Sequence, residues 1–439
     1  MPITSLDEHL SSLYRLRQYG IKLGLDAINR LVRGLGNPHE RFRSIHVAGT
    51  NGKGSIAAIL SSVLVREGYK VGLYTSPHLV RFNERIQIDG CAISDDAVAA
   101  AAEAVQFVYT QGGQPPTFFE CATAMALYHF ASENVDWAVL ETGMGGRLDA
   151  TNLVRPEVSI ISTISMDHQV YLGNTLAKIA AEKGGIIKEG VPVVTGVKNK
   201  KALKIIQKIA SEKNAPLYCL GSDLRVRRDG KDRFSYFGIH SKWKNLKVAL
   251  CGGHQILNAG TALGALELLM RKGIGISEQS IYEGLAEVKW PGRLEIVSEQ
   301  PLVILDGAHN PAGVRSLKQY LTHKLNGRHL TLVVGIMADK SWRVMLHALI
   351  PIVDRLIITR PQNDRALDME TLAAFVRPFH KEFKVVPRVD EAMATAIKHA
   401  SHDDAVCLAG SLYAVGEAKA YFENSKVTPG ERFCIERSD

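Results

Sequence analysis

Seven residues constrain this chain more than any other stretch: Gly49-Thr50-Asn51-Gly52-Lys53-Gly54-Ser55. They follow the apolar run Ser44–Ala48, which reads as a strand. They lead into Ser55–Glu67, where Ile56, Ile59, Leu60, Val63 and Leu64 share one helical face. A strand, a glycine-rich turn and a helix in that order belong to an α/β sheet, with the turn at a strand end. The small residues let backbone N–H groups close on a polyphosphate. The helix N-terminus adds a favourable dipole, and Lys53 adds a charge beside the outer phosphates. The loop departs twice from the standard Walker pattern. Val47 stands where the first glycine would, and Gly54 separates the lysine from the serine.

The same rhythm continues along the chain. Lys70–Tyr74, Trp137–Leu140, Val158–Thr163 and Val191–Thr195 read as strands; Ala97–Val108, Glu120–Ala131 and Leu176–Glu182 read as helices. Residues 217–250 differ, because Asp229-Gly230 between Leu224–Arg228 and Arg233–Phe237 predicts an antiparallel hairpin. The α/β pattern returns at His254–Leu269 and is broken by Pro291-Gly292. After the break, Leu302–Leu305, Leu330–Val334, Leu356–Thr359, Phe383–Val386 and Ala405–Leu408 alternate with helical stretches. The expectation is an α/β chain. A P-loop nucleotide-binding domain over 1–293 has a mostly parallel sheet and a small antiparallel element. A smaller Rossmann-like domain covers 296–425, and 426–439 form a tail.

Composition narrows the class. With 439 residues, 46% hydrophobic and 22% charged, the chain can bury a large core, which excludes disordered, collagen-like and coiled-coil classes. The net charge of +8 admits anionic partners, but it is not spread evenly. Residues 198–247 hold fourteen Lys/Arg and four Asp/Glu, so the remainder of the chain is net −2. Cysteines stand at 91, 121, 219, 251, 407 and 434 with no CxxC pair, which suggests neither a zinc site nor a disulfide framework. That pattern fits a reducing compartment. The first residues lack the basic and apolar regions of a signal peptide, and no apolar run approaches the ~20 residues of a membrane span. A cytoplasmic protein without a membrane partner is expected.

Several polar groups end predicted strands, where α/β sheets bind their ligands. Glu141 opens Glu141-Thr142-Gly143-Met144-Gly145-Gly146-Arg147-Leu148-Asp149-Ala150-Thr151-Asn152 and is placed to hold a metal or a water. Met166-Asp167-His168 ends the next strand, with an imidazole beside a carboxylate. Asp306-Gly307-Ala308-His309-Asn310-Pro311 follows the first strand of the second domain and looks like a ligand-facing loop. Arg293, at the boundary, suits a phosphate or a surface carboxylate. Gln255 and Asn258 share a helix face, which by itself reads as an exposed one. Ala181-Glu182-Lys183-Gly184-Gly185 by itself reads as a helix end.

His46–Ser55, Tyr74-Thr75-Ser76-Pro77-His78-Leu79, Glu141–Asn152, Asp167-His168, Glu182-Lys183 and Asp306–Pro311 together resemble the folylpolyglutamate synthases. The likeness is closer to the bacterial bifunctional dihydrofolate synthase/folylpolyglutamate synthase form, within the Mur-ligase-like ATP-dependent amide ligases. It covers nearly the whole chain in order. The resemblance implies that ATP phosphorylates a substrate carboxylate and the amine of L-glutamate attacks the acyl phosphate, with Mg2+ as cofactor. Dihydropteroate and tetrahydrofolates are the implied acceptors, and a monomer is expected. It implies ATP contacts from Thr50, Asn51, Gly52, Lys53, Gly54, Ser55, Asn258, Arg293 and Asp306. Ser76, Glu141 and His168 match metal ligands, and Lys53, Lys183, Asp306 and His309 match catalytic positions. Lys183 matches a lysine carboxylated on its amine, which reverses the helix-end reading. Lys22, Leu23, Gly24, Thr117, Phe118, Phe119, Glu120, Leu148, Asp149 and Ala150 match pterin or pteroate contacts.

Three rivals carry less. An enzyme that only extends the glutamate chain shares most of these motifs; Arg147-Leu148-Asp149 resembles the bifunctional form more. A peptidoglycan-type Mur ligase needs a further N-terminal domain, and the loop here begins at Gly49. A nucleotide-controlled nucleic-acid-binding protein is motivated by the 198–247 cluster. Phe234, Tyr236 and Phe237 there sit together as hairpin packing rather than interleaved for base stacking.

Overall fold

The computed structural model describes residues 6–20, 22, 24–230, 232–325, 327–379 and 382–424. Leu23 and the 426–439 tail lie outside the described residues. The first sheet has eight strands: Arg43–Ala48 (β1), Val71–Tyr74 (β2), Ile86–Ile88 (β3), Cys91–Ala92 (β4), Trp137–Glu141 (β5), Val158–Ile161 (β6), Val193–Thr195 (β7) and Leu217–Cys219 (β8). Their order is β4-β3-β2-β5-β1-β6-β7-β8. The six from β2 to β8 are parallel, and β3 and β4 pair antiparallel at one edge. β1 lies between β5 and β6, so the chain leaves it to one side and later returns on the other. Such a reversal opens a crevice at the carboxyl ends of the strands.

Burial follows from the sequence pattern. β1, β5 and β6 are sheltered on both faces and read as near-continuous apolar runs. Helices Lys53–Arg66, Gly253–Arg271 and Glu278–Glu287 pack on one face. Asp26–Gly34, Asp95–Thr110 and Phe118–Ser132 pack on the other. The Gly253–Arg271 helix is apolar nearly all round, as a helix enclosed by other elements must be. It carries the predicted antiparallel element, which has three strands: Arg225–Arg228 (β9), Phe234–Phe237 (β10) and Lys242–Leu246 (β11). Phe234 and Tyr236 are buried there, and Tyr236 stacks on Trp243 with centroids 5.2 Å apart. The buried Glu267 of the central helix accepts hydrogen bonds from Tyr236 Oη (2.8 Å) and from the N–H groups of His240 (2.7 Å) and Ser241 (2.8 Å). This carboxylate ties the hairpin to the body.

The second sheet comprises Glu295–Glu299 (β12), Leu302–Leu305 (β13), Leu330–Val334 (β14), Arg355–Ile358 (β15), Glu382–Val385 (β16) and Ala405–Ala409 (β17). Its order is β12-β13-β17-β14-β15-β16. Five strands are parallel, as the alternation predicts; β12 adds an antiparallel edge that the sequence reading did not include. Helices cover both faces and enclose two apolar clusters. Among the described residues no helix is long and apolar enough to cross a membrane.

Candidate functional site

The loop after β1 runs along the end of β6. Thr50 donates its N–H to the Thr163 carbonyl at 2.7 Å, and its hydroxyl accepts from Ser165 N–H at 3.1 Å. Asn51 donates its N–H to Thr163 Oγ1, and its carbonyl accepts from Ser162 Oγ at 2.8 Å. The turn closes on Gly52, which caps the Lys53–Arg66 helix with φ 90°. A Cβ at Gly52 would lie 2.5 Å from Asn258 Oδ1, so both space and backbone demand glycine there. Asn258 is buried, not exposed, and donates to Gln255 Oε1 at 2.8 Å. Gln255 in turn reaches Ser55 Oγ at 3.3 Å. This face of the central helix supports the loop, which corrects the exposed-face reading.

Glu141 ends β5 beside that loop and is 5% exposed. Its polar neighbours are distant for a buried carboxylate: Lys53 Nζ at 3.6 Å and the Ser76 N–H at 3.4 Å. Burial raises its pKa, and the Lys53 charge only partly offsets this. A carboxylate with unfilled acceptor capacity suits a hard divalent cation that keeps several waters. His168 follows β6 in a left-handed conformation, φ 49°. Burial and the Lys340 charge hold its pKa down at about 4, so near neutral pH it is an uncharged imidazole able to ligate. Among the described residues no group of three or more His, Cys, Asp or Glu forms a preassembled cage. Mg2+ is commonly held by one or two protein groups together with substrate phosphates, so Ser76, Glu141 and His168 fit it without such a cage.

Lys183 ends the Leu176–Gly184 helix, as predicted, but its amine is buried. Nζ donates to the Gly49 carbonyl at 2.8 Å. Burial, reinforced by the Lys53 charge, brings its pKa down to about 7. A large fraction of this amine is therefore neutral near pH 7, the form that reacts with carbon dioxide.

The second sheet brings its first loop to the same cleft. Asn310 caps the Pro311–Leu325 helix, accepting from Gly313 N–H at 2.9 Å. Its side-chain amide also exchanges hydrogen bonds with that of Asn51, at 2.8 and 3.1 Å. Asp167 lies six residues beyond β6, in the following loop rather than at the strand end, and receives Asn310 Nδ2 at 3.2 Å, Lys340 Nζ at 2.7 Å and His309 Nε2 at 3.5 Å. Burial opposes ionisation of Asp167, yet the His309 hydrogen bond and the Lys340 charge hold its pKa far below the usual carboxylate range. His309 is aligned by Gly307, its Nδ1 lying 2.8 Å from that carbonyl. Asp306 is buried and accepts from the N–H groups of Leu294 (2.9 Å) and Ala308 (3.0 Å). Its pKa is raised by burial and pulled back by Arg293, which also packs beside Gly307.

Three comparisons bear on this geometry. A family model described as the Mur ligase middle domain matches residues 47–266, and one described as the Mur ligase, glutamate ligase domain, matches 292–412. The dihydrofolate synthase/folylpolyglutamate synthase of Bacillus subtilis is 34% identical over 95% of this chain and 99% of its own length. The chain belongs to the folylpolyglutamate synthase family of Mur ligases. Among solved members of the family, Escherichia coli FolC in complex with DHPP and ADP superposes with a TM-score of 0.89 at 32% identity, covering 96% of this chain and 99% of that one. The Yersinia pestis bifunctional enzyme complexed with AMPPNP and Mn ion gives a TM-score of 0.86 at 30% identity, covering 96% and 98%.

The acceptor-side residues expected for a folylpolyglutamate synthase take varied positions. Thr117 and Glu120 form a reciprocal cap on the Phe118–Ser132 helix, with Thr117 N–H and Oγ1 each 2.7 Å from Glu120 Oε2. Phe118 stacks on Tyr14 with centroids 5.6 Å apart, and Phe119 packs against Tyr74 and over Gly143. Asp149 is buried and clasps its own loop, accepting from Met144 N–H (2.8 Å) and Thr151 Oγ1 (2.6 Å). Leu148 and Ala150 flank it, half-buried and buried. Lys22 is exposed with its amine over the Tyr19 ring, beside Gly24. Lys340 and Thr163 carry no role in the sequence motifs, and Asn310 enters them only within the Asp306–Pro311 loop. Thr163 and Ser165 follow directly on β6, so their strand-end position was a usable signal. Lys340 sits in a turn that matches no motif.

Proposed function

We propose that the chain is an ATP-dependent ligase that joins the amine of L-glutamate to the carboxylate of dihydropteroate and of tetrahydrofolates. One observation carries this reading. The Asn51–Asn310 contact puts the phosphate loop and the Asp306–Asn310 loop on one cleft, in a chain that spans almost the full length of its bifunctional relative. In this reading the chain divides at 293/296 into an ATP-binding unit and a C-terminal ligase unit. It acts as a cytoplasmic monomer on small molecules.

The residues then take distinct tasks. The N–H groups of Thr50 and Asn51 are taken by Thr163, so those of Gly52 and Lys53 and the Lys53 ammonium hold the phosphates, and Asn258, Arg293 and Asp306 hold the rest of the nucleotide. Mg2+ bound by Ser76, Glu141 and His168 would neutralise charge on the transferring phosphoryl group. The acceptor carboxylate attacks the γ-phosphorus and ADP leaves. The glutamate amine attacks the resulting acyl phosphate, and phosphate leaves as the amide forms. No protein nucleophile is needed; the cleft works by positioning and by placed charge. A carboxylated Lys183 would turn a cation beside Gly49 into an anion able to orient the metal. Nucleic acid has no role here, because the 198–247 excess lies on the outer helix and hairpin, whose Phe234 and Tyr236 are buried.

The test is ADP release and product formation with dihydropteroate and, separately, with tetrahydrofolate monoglutamate. Turnover with both is expected. No ADP above background with either acceptor overturns the reading. Turnover with the folate alone reduces it to chain extension.

A further inference from the structure

Arg85 is a buried cation that the reaction as described does not use. It ends the short 3-10 turn Phe82–Arg85, immediately before β3, and is 6% exposed. A buried guanidinium is normally paired with a carboxylate, because an isolated charge is costly away from water. Arg85 forms no ion pair among the described residues. Its Nε–H donates to His78 Nδ1 at 2.8 Å. Its guanidinium lies over the rings of Phe118 (5.1 Å) and Phe82 (6.0 Å). Beyond burial itself, its strongest electrostatic neighbours are the phenols of Tyr74, Tyr14 and Tyr413 and a second guanidinium, Arg17. Arg17 lies over Phe118 too, at 4.9 Å. Two guanidinium groups, the exposed Arg17 and the buried Arg85, thus lie against one ring, and neither has an ion-pair partner among the described residues.

The sheet order sets the backbone of Arg85 apart from the phosphate loop. Arg85 borders β3, whereas the phosphate loop follows β1, and β2 and β5 stand between them. Three strand spacings amount to roughly 14 Å. The backbone places Arg85 nearer the acceptor's reacting end: its carbonyl accepts from Thr75 N–H at 3.0 Å, one residue before Ser76. A ligand there meets aromatic faces and guanidinium together, which suits an aryl amide bearing a carboxylate. Of the two acceptors, only a folate carries such a group beside its reacting carboxylate, on the glutamate it already holds. Dihydropteroate has none.

We propose that Arg85 binds the α-carboxylate of a folate's terminal glutamate and so selects the folate acceptor over dihydropteroate. The assignment rests on the ligase reading above. Its test is a cycle on the full-length enzyme: wild type and Arg85→Gln, each with tetrahydrofolate monoglutamate and with its α-carboxamide. The wild type should favour the carboxylate by about tenfold or more in kcat/KM, the scale of a buried charge-assisted hydrogen bond. Arg85→Gln should erase that preference through KM for the folate, while KM for dihydropteroate shifts far less. Arg85→Lys should restore part of it. Equal losses with both folates and with dihydropteroate would make Arg85 a structural residue and overturn the assignment. A rise in KM for L-glutamate instead of the folate would move the site to the incoming amino acid and also overturn it. If the wild type turns over neither acceptor, the ligase reading itself fails. If it turns over both but Arg85→Gln keeps the preference, only this assignment fails. ADP affinity by calorimetry checks that the variant is folded.

Discussion

Lys183 has two measurable consequences at the scale of a single side chain. Its native pKa is about 7, against an ordinary 10.5. Between those values the unfolded chain binds the extra proton, so stability should rise with pH across the window and be lost as pH falls through about 7. Urea midpoints from pH 6.5 to 10 in carbon-dioxide-free buffer should show that rise, and Lys183→Met should flatten it. The neutral amine should also take up labelled bicarbonate as a carbamate visible by 13C NMR. Lys183→Ala should lose that signal and most activity, with small carboxylates restoring part of the activity. Full activity in Lys183→Ala removes the carbamate from the mechanism. Glu141→Ala and His168→Ala should each abolish Mg2+-dependent turnover, and unchanged metal dependence in both would remove them from the metal site. Such residues were legible because each lies in a recognisable motif: Glu141 ends β5, His168 lies in the loop after β6, and Lys183 ends a helix. The environment of Lys183 was not, because its burial arises from contact with Gly49, 134 positions away.

Elements were legible in proportion to their length and period. The Lys53–Arg66 and Gly253–Arg271 helices stand out from their apolar pattern. Ile86–Ile88, Cys91–Ala92 and Leu217–Cys219 span at most three residues, too few to set a period. Glu295–Glu299 is half-buried and charged at both ends, so nothing in its sequence separates an edge strand from a loop. Two substitutions probe how elements are joined. Glu267→Ala should leave the N–H groups of His240 and Ser241 without their acceptor and destabilise the protein by about 3 kcal/mol in urea unfolding. Activity of the folded fraction should persist, because Glu267 lies more than two turns along its helix from Asn258. Gly52→Ala should weaken ADP binding by tenfold or more in calorimetry, because the loop must abandon its left-handed turn. Unaltered affinity would mean the loop tolerates another geometry.

The two sheets meet at the scale of the whole molecule through Leu79, which packs on the second unit's apolar cluster, and through polar contacts around one carboxylate. Asp167 joins Lys340, His309 and Asn310, and its strongly lowered pKa keeps it charged across any ordinary assay range. Asp167→Ala should let the units separate, raising the radius of gyration of the nucleotide-free protein in X-ray scattering; an unchanged radius would mean other contacts hold them. The paired amides of Asn51 and Asn310 add a different consequence. In the ligase reading the loop that receives the phosphates also reaches the second unit through the Asn51 side chain. Nucleotide occupancy and the seat of the second unit then share one residue, so a change in either is felt by the other.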